Sequence, residues 1–465
     1  MRRALTSAAL VLGLLVALPG CAGGPIALPT LPSPRDAPPT AVQLVGVRGP
    51  LSAAQSQAVL ARLQKRGTPT DIFERHLAIE EAVADGPLTV GNDAVLLQDG
   101  PATYRAMFAA IDTARDHINM ETYIFDDDEV GQRFARALIN KQRQGVAVHL
   151  IRDSVGTLGT PDTFFQALVD SGVKVLEFNP VNPLQARRGW ELNQRDHRKL
   201  LIVDGQVAFL GGINVSSVYS GGSARQRRGT STEPAEPAWR DTHLQLRGPV
   251  VAELQKMFLA TWAEQRGAAL PPRRYFPPTQ QAGNLVVRAI GSSPTEPYSQ
   301  IYATLLSALV SAETSVLLTN AYFAPDPQLL LALEGAAARG VDVKLILPSQ
   351  TDSWLVFHAG RSHYERLLQA GVKVYERSGV ILHAKTALVD GVWASVGSTN
   401  LDWRSFVHNH ELNAVVLGAK FGAQVHAMFE RDLAASRAID LATWQRRSLA
   451  LRAKEIFARA WEYWL

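Results

Sequence analysis

A chain of 465 residues is too long for a single hydrophobic core and suits two domains of ordinary size. Its composition, 46% hydrophobic and 19% charged, is that of a globular protein, and its net charge of +4 fits an anionic partner, bilayer headgroup or nucleic acid alike. The single cysteine, Cys21, excludes an intrachain disulfide and leaves a Cys–His zinc site without support.

Residues 1–21 read as a signal peptide. Arg2 and Arg3 precede a short apolar run, Ala4 to Leu18, below the roughly 20 residues of a membrane span. The run stops at Leu18-Pro19-Gly20-Cys21, which resembles a lipobox, so cleavage before Cys21 and lipidation of its thiol are expected. A plain signal or an uncleaved anchor is the other reading. The lipobox reading places the protein in a bacterial cell envelope, lipid-anchored on the periplasmic side of the outer or inner membrane. Residues 22–49, rich in Pro and Gly, read as a tether. Residues 50–89 read as a helical cap, with Val59, Leu60 and Leu63, then Ile72, Phe73 and Leu77, at helical spacing around the break Gly67-Thr68-Pro69.

From residue 90 to 268, helical and extended patterns alternate. Helices are predicted at Ala102–Arg115, Glu129–Gln144 and Asp162–Ser171, each followed by a strand, at Ile118–Phe125, Val146–Ile151 and Val173–Phe178. Residues 282–455 repeat this with strands Ser315–Asn320, Val341–Leu347 and Val372–Tyr375. The tetrapeptide Gly-Val-Lys-Val recurs at Gly172 and Gly371 in matching places. The alternation implies an α/β fold with a largely parallel sheet and helices on both faces. The boundary falls near Gly267–Gln281, where Pro271-Pro272 and Pro277-Pro278 break any periodicity. The loop Tyr219–Ala238, with Arg225, Arg227 and Arg228, reads either as a lid or as an insertion without a role. Residues 456–465 form an aromatic-rich terminal helix, suited to packing on the body or to a membrane interface.

The duplication carries chemistry. His197-Arg198-Lys199 leads to Asp204, and His383-Ala384-Lys385 leads to Asp390, both as H-x-K-x4-D. Each continues to a Gly-rich step and an asparagine, Gly211-Gly212-Ile213-Asn214 and Gly397-Ser398-Thr399-Asn400, at the same offset. Alternation puts His197 with Lys199, and His383 with Lys385, on one strand face. Two lysines neutralise a phosphodiester anion. One neutral imidazole attacks phosphorus while the other, protonated, acts as the acid, with coupled titration. Asn214, Asn400 and Ser398 are candidate phosphate-binding or orienting groups. An orienting carboxylate is expected on each imidazole: Glu411 follows His383 and Asp241 follows His197 as its counterpart, the added length lying in the Tyr219–Ala238 loop. Asp204 and Asp390 close the candidate catalytic set, at strand ends suited to fixing a turn or an ion pair. His408 and His410 are spaced to share a strand face, but no metal pair is expected without thiols nearby.

The twin motifs resemble those of the phospholipase D superfamily, and within it the bacterial cardiolipin synthases. Supporting segments include Glu121-Thr122-Tyr123-Ile124-Phe125, Trp239-Arg240-Asp241-Thr242-His243 and Tyr322-Phe323-Ala324-Pro325-Asp326. The resemblance spans roughly residues 90–455. It implies two tandem α/β lobes with mixed sheets flanked by helices, related by a pseudo-twofold axis with the site at their interface. It also implies no cofactor, a largely structural Asp204 and Asp390, and a phosphatidyl-histidine intermediate on His197, with the roles of the two histidines open to reversal. The substrates it implies are phosphatidylglycerol or another phospholipid at a membrane surface. Transfer to a lipid hydroxyl gives cardiolipin; transfer to water makes the enzyme a phospholipase D. A nuclease using the same residues would want an aromatic-interleaved basic groove, which the sequence lacks, so no nucleic acid is expected. Two intact motifs argue against a non-catalytic lipid-binding scaffold.

Overall fold

The computed structural model describes residues 26, 28, 42–64, 70–182, 191, 193–222 and 237–465. The signal sequence with Cys21, most of the tether, the Gly67-Thr68-Pro69 break and most of the Tyr219–Ala238 loop, including its three arginines, lie outside the described residues.

Each half builds the same seven-stranded sheet. In the first, the spatial order is Lys174–Phe178, Ala147–Asp153, His117–Thr122, Leu200–Val203, Val207–Gly211, Thr242–Arg247 and Leu88–Gln98. The second repeats it as Lys373–Arg377, Asp342–Pro348, Ser315–Asn320, Lys385–Val389, Trp393–Gly397, Asn409–Leu417 and Leu285–Ser292. Only the first three strands of each set run parallel. The helix-connected segments fix those three by crossovers; the rest are joined by hairpins and returning strands, which must be antiparallel. The sheets are therefore mixed, which corrects the largely parallel sheet read from the helix–strand alternation.

Leu88–Gln98 and Leu285–Ser292 pair antiparallel and join the two sheets into one. Three apolar cores follow. One fills the space under the outer helices of the first lobe, around Phe134, Leu138 and Phe209. A second does the same for the second lobe, around Leu309, Leu333 and Leu345. The third belongs to both lobes: helices Val250–Glu264 and Ala419–Ala434 bury Leu254, Phe258, Phe421 and Val425 against strand residues of both sheets. Full burial of one such side chain contributes roughly 1.5–3 kcal/mol, so a shared core ties the lobes into a fixed relation.

The segment read as a tether is already folded at its end. Leu44–Gly46 pairs parallel with Leu88–Thr89, and Leu44 is fully buried. Helices Ala53–Gln64 and Thr70–Val83 follow. The second packs on the second lobe: Glu80 accepts from the indole of Trp393 at 2.6 Å and His76 Nε2 lies 3.0 Å from Asp390 Oδ2. At the other terminus the helix is Leu449–Arg459, followed by a short 3-10 turn, Glu462–Trp464, not a helix over 456–465. The carbonyl of Leu465 accepts from the N–H of Arg404, and Tyr463 packs edge-on against Trp403. No helix among the described residues is long and apolar enough to cross a membrane.

Candidate active site

Two short parallel ladders cross between the lobes, and they build the site. Arg195-Asp196 pairs with Asn409-His410, and Ile381-Leu382 pairs with Trp239-Arg240. One residue further on, the N–H of His197 donates to the carbonyl of His410 at 2.9 Å, and that of His383 to the carbonyl of Arg240 at 2.7 Å. Each of these histidines is thus stitched to the strand of the opposite lobe. Parallel register then sets Glu411 beside His197 and Asp241 beside His383.

The side chains confirm that register. His197 Nδ1 lies 3.0 Å from Glu411 Oε1 and 3.1 Å from Oε2. His383 Nδ1 lies 2.7 Å from Asp241 Oδ2. The expected pairing of each histidine with the carboxylate of its own half is therefore corrected: the carboxylates are exchanged. Sequence order suggested the wrong partner because each returning strand joins its own lobe's sheet through the hairpin strand beside it, and pairs with the other lobe only at its start.

With Nδ1 turned to a carboxylate, His197 leaves Nε2 for chemistry, while Nε2 of His383 lies 3.0 Å from Lys385 Nζ. Both rings are nearly closed off, His197 at 8% exposed and His383 at 5%. Burial, then the nearby lysine charge, draws His383 below its usual range. Burial draws His197 down to about 4, against the upward pull of Glu411. Burial raises Glu411 and Asp241, but the histidine and lysine charges beside them outweigh it and hold both carboxyls ionised. Lys199 is pushed down to about 7 and Lys385 to about 8, burial being the main cause. Each lysine donates to the carbonyl of the histidine two residues before it, at 2.5 Å. The charge of Lys385 acts on His197 and that of Lys199 on His383, so the two half-sites lie close enough to feel each other's charge.

Lys385 opens its strand, but His197 and Lys199 precede theirs, which starts at Leu200. They were expected on it; the backbone of His197 is instead bonded across the lobe boundary. Ser398 donates its hydroxyl to Glu411 Oε2. Its counterpart is Gly212, where a Cβ would come within 2.2 Å of Asp241 Oδ1. The asparagines are anchored differently. Asn214 Oδ1 accepts from the N–H of Ile124 at 3.1 Å and its amide donates to Tyr219 at 3.2 Å. Asn400 is buried, with its N–H on the hydroxyl of Ser405 and its Oδ1 unpaired among the described residues.

Asp204 and Asp390 sit at the far end of their strands from the lysines. Five residue steps of extended chain put them roughly 16 Å away, out of reach of a substrate phosphate. Both take left-handed φ, 54° and 52°, before Gly205 and Gly391. Asp204 accepts from the N–H groups of Arg115, Asp116 and His117; Asp390 accepts from those of Glu313, Thr314 and Ser315. They hold each hairpin to the neighbouring strand, and their place in the candidate catalytic set is corrected. His408 lies in a π-helical turn and His410 on the following strand, so they share no strand face.

Four aromatic rings of the site were not singled out from sequence. Tyr123 packs edge-on to His197 at 5.1 Å and under Lys199 at 5.2 Å. Tyr322 takes the matching place at His383 and Lys385, 6.0 Å from each. Trp239 lies 5.1 Å from the His383 ring, and the hydroxyl of Tyr219 3.4 Å from its Nδ1. The duplication held a usable sign of the first pair: a tyrosine follows both strands, one residue after His117–Thr122 and two after Ser315–Asn320.

A family model described as cardiolipin synthase, PLD-like domain, matches residues 107–219 and 305–433, once in each lobe. The cardiolipin synthase of Geobacillus sp. (strain WCH70) is 35% identical, over 82% of this chain and 74% of its own. Cardiolipin synthase A of Pseudomonas entomophila (strain L48) is 36% identical over 76% and 71%. Among solved structures, a phosphatidylserine synthase from Haemophilus influenzae Rd KW20 superposes with a TM-score of 0.58, covering 83% of this chain and 99% of that one; at 12% identity it shares the fold. The chain belongs to the cardiolipin synthase family, phosphatidyltransferase-type enzymes built on paired PLD-like domains.

Proposed function

We propose that the protein joins phospholipids into cardiolipin by double displacement at phosphorus. The observation that carries this is the pair of imidazoles, each held through Nδ1 by a carboxylate of the opposite lobe. A phosphatidylglycerol phosphate enters between Lys199 and Lys385. His197, kept neutral by burial, is the nucleophile. Its Nε2 lone pair forms the N–P bond as the P–O bond to glycerol breaks, and glycerol takes the proton from the His383 imidazolium. The phosphate anion offsets the lysine charges that depress His383, so substrate binding favours the protonated acid. In the second step, the hydroxyl of another phosphatidylglycerol gives its proton to His383 and its oxygen attacks phosphorus. The N–P bond breaks and both residues return to their starting forms. Aromatic rings around His383 keep that half of the pocket apolar, which favours a lipid alcohol over water.

Purified full-length protein with phosphatidylglycerol in chelator should yield cardiolipin and glycerol. Phosphatidic acid as the sole product would replace the synthase with a hydrolase; cut single-stranded DNA would point to a nuclease. With ³²P-labelled lipid, a His383→Asn variant should accumulate label on His197. Label that survives in His197→Asn would reverse the roles.

The same proposal includes a location: the envelope, with Cys21 lipidated and the enzyme on the periplasmic side. The lipobox-like Leu18-Pro19-Gly20-Cys21 supports it. Incorporation of radiolabelled fatty acid that disappears in Cys21→Ser tests it, and unlabelled wild-type protein would refute it.

A further inference from the structure

The helix Leu449–Arg459 wears its polarity inside out. Its inward face carries Glu455, 3% exposed and bonded to Arg447 Nε at 2.9 Å, and Ala458, fully buried. Its outward face carries Leu449, Ile456 and Phe457, exposed at 82%, 71% and 56%. A helix that only packs on the body would show the reverse. Lys454 and Arg459, both exposed, flank the apolar stripe on its two sides. Trp464, from the turn that follows, is also exposed.

The stripe continues onto the second lobe. Trp354 is 46% exposed, and its ring lies 6.3 Å from that of Phe457. Two residues before it, Asp352 accepts from the hydroxyl of Tyr322 at 2.6 Å, and Tyr322 is the ring packed on His383. The loop that carries Trp354 thus joins the C-terminal helix to the wall of the site, through Asp352. The first lobe has its own exposed apolar residue in the matching loop: Leu158, 67% exposed, follows strand Ala147–Asp153 as Trp354 follows Asp342–Pro348.

We infer that this surface is a docking face for an anionic lipid bilayer, seating the outward side of Leu449–Arg459 and Trp354 in the headgroup layer so that lipid reaches the histidines without crossing water. The inference rests on the phospholipid reading of the site. An apolar stripe edged by cations is the pattern that binds an anionic membrane surface, and exposed tryptophans suit its interface. A partner protein would have no reason to adjoin the site mouth; a surface that supplies a two-chain substrate has one.

The test is hydrogen–deuterium exchange on the full chain with and without phosphatidylglycerol vesicles, since this reads the helix itself whatever else tethers the protein. Amides of Leu449–Arg459 should be protected by vesicles. The double variant Ile456→Ser/Phe457→Ser should lose that protection and turn over vesicle phosphatidylglycerol at least about tenfold more slowly. It should keep the wild-type rate on monomeric dihexanoyl-phosphatidylglycerol, which shows that the fold and site are intact. An unprotected helix in a wild-type protein that consumes vesicle lipid overturns the docking face and leaves the phosphatidyltransferase reading standing. A protected helix in a protein that turns over no phospholipid does the opposite. Protection that grows with protein concentration without vesicles overturns it in favour of a second copy of this chain.

Discussion

Glu411 of the second lobe holds the ring of His197 in the first, its two oxygens 3.0 and 3.1 Å from Nδ1. Asp241 of the first lobe holds His383 of the second in return. Neither lobe therefore contains a complete histidine–carboxylate pair. Separating the lobes would remove the orienting carboxylate from both histidines at once, which explains why the fold invests a common core and a continuous sheet in keeping them together.

The exchange has a direct spectroscopic consequence. Glu411→Gln removes the charge that favours the His197 imidazolium, so the pKa of His197 should fall further while His383 changes little. Asp241→Asn should do the converse. Nitrogen-15 NMR of the histidine rings measures both. Turnover should drop about 10²–10⁴-fold in each variant, as when an acid–base histidine loses its tautomer-fixing partner. A Glu411→Gln variant that perturbs His383 instead would return the carboxylates to their own lobes.

The candidate residue types were legible in sequence because the chemistry proposed for them fixes them by identity: the two histidines, their two lysines and both carboxylates come together across the lobe boundary. The partner of each carboxylate was not. That depends on the two-residue ladders at Arg195-Asp196 and Ile381-Leu382, too short to leave a periodic pattern. Strands that are continuous buried runs bounded by loop residues were readable almost to the residue, as at Ser315–Asn320. Parallel or antiparallel direction was not, since it follows from connection geometry beyond the local pattern. The end of the tether escaped notice because Leu44–Gly46 is only three residues long.

The two half-sites differ at Ser398 and Gly212, and that difference is open to exchange. Gly212→Ser would drive a Cβ against Asp241 Oδ1 at 2.2 Å, so Asp241 must move off His383. Turnover should fall at least about 10²-fold with His383 as the affected ring. Ser398→Gly loses one hydrogen bond to a carboxylate and leaves the backbone unobstructed. A loss of about 1.5–3 kcal/mol in transition-state stabilisation is expected, roughly 10- to 150-fold in kcat/KM. Equal effects of the two substitutions would contradict the asymmetry.

Asp390 is expected to matter for folding and not for chemistry. Asp390→Ala strips partners from three backbone N–H groups and from buried His76. Each unsatisfied buried donor costs about 1–3 kcal/mol, so a clear fall in Tm should follow. The kcat of the folded fraction, measured well below that Tm, should stay within about threefold of wild type. A variant with unchanged Tm and abolished kcat would restore Asp390 to the catalytic set.

Stability and activity should respond to pH in opposite windows. His149, His243 and His410 are pushed by burial to about 3, and His197 to about 4. An unfolded chain protonates these histidines near 6.5, so as pH falls from there toward 4 it binds protons the native state refuses, and stability is lost. Asp241, Glu411 and Asp390, held below their ordinary values by neighbouring charges and hydrogen bonds against burial, add to the loss as pH falls through the carboxylate range. Burial raises Asp153 to about 6 and Asp402 to about 7, so the native state takes up protons there and offsets part of this loss. Thermal denaturation scans should therefore show Tm falling below pH 6.5 by less than the histidines alone would give. Lys199 at about 7 and Lys385 at about 8 carry the opposite sign for activity. Raising pH through these values removes the positive charge that receives the phosphate, while the native state, already partly deprotonated, gains stability relative to an unfolded chain whose lysines still bind protons near 10.4. The profile of kcat/KM should thus decline on its alkaline side between about 7 and 8, in a range where Tm does not decline. A flat profile to pH 9 would mean that neither lysine titrates there and that substrate charge is met by another group.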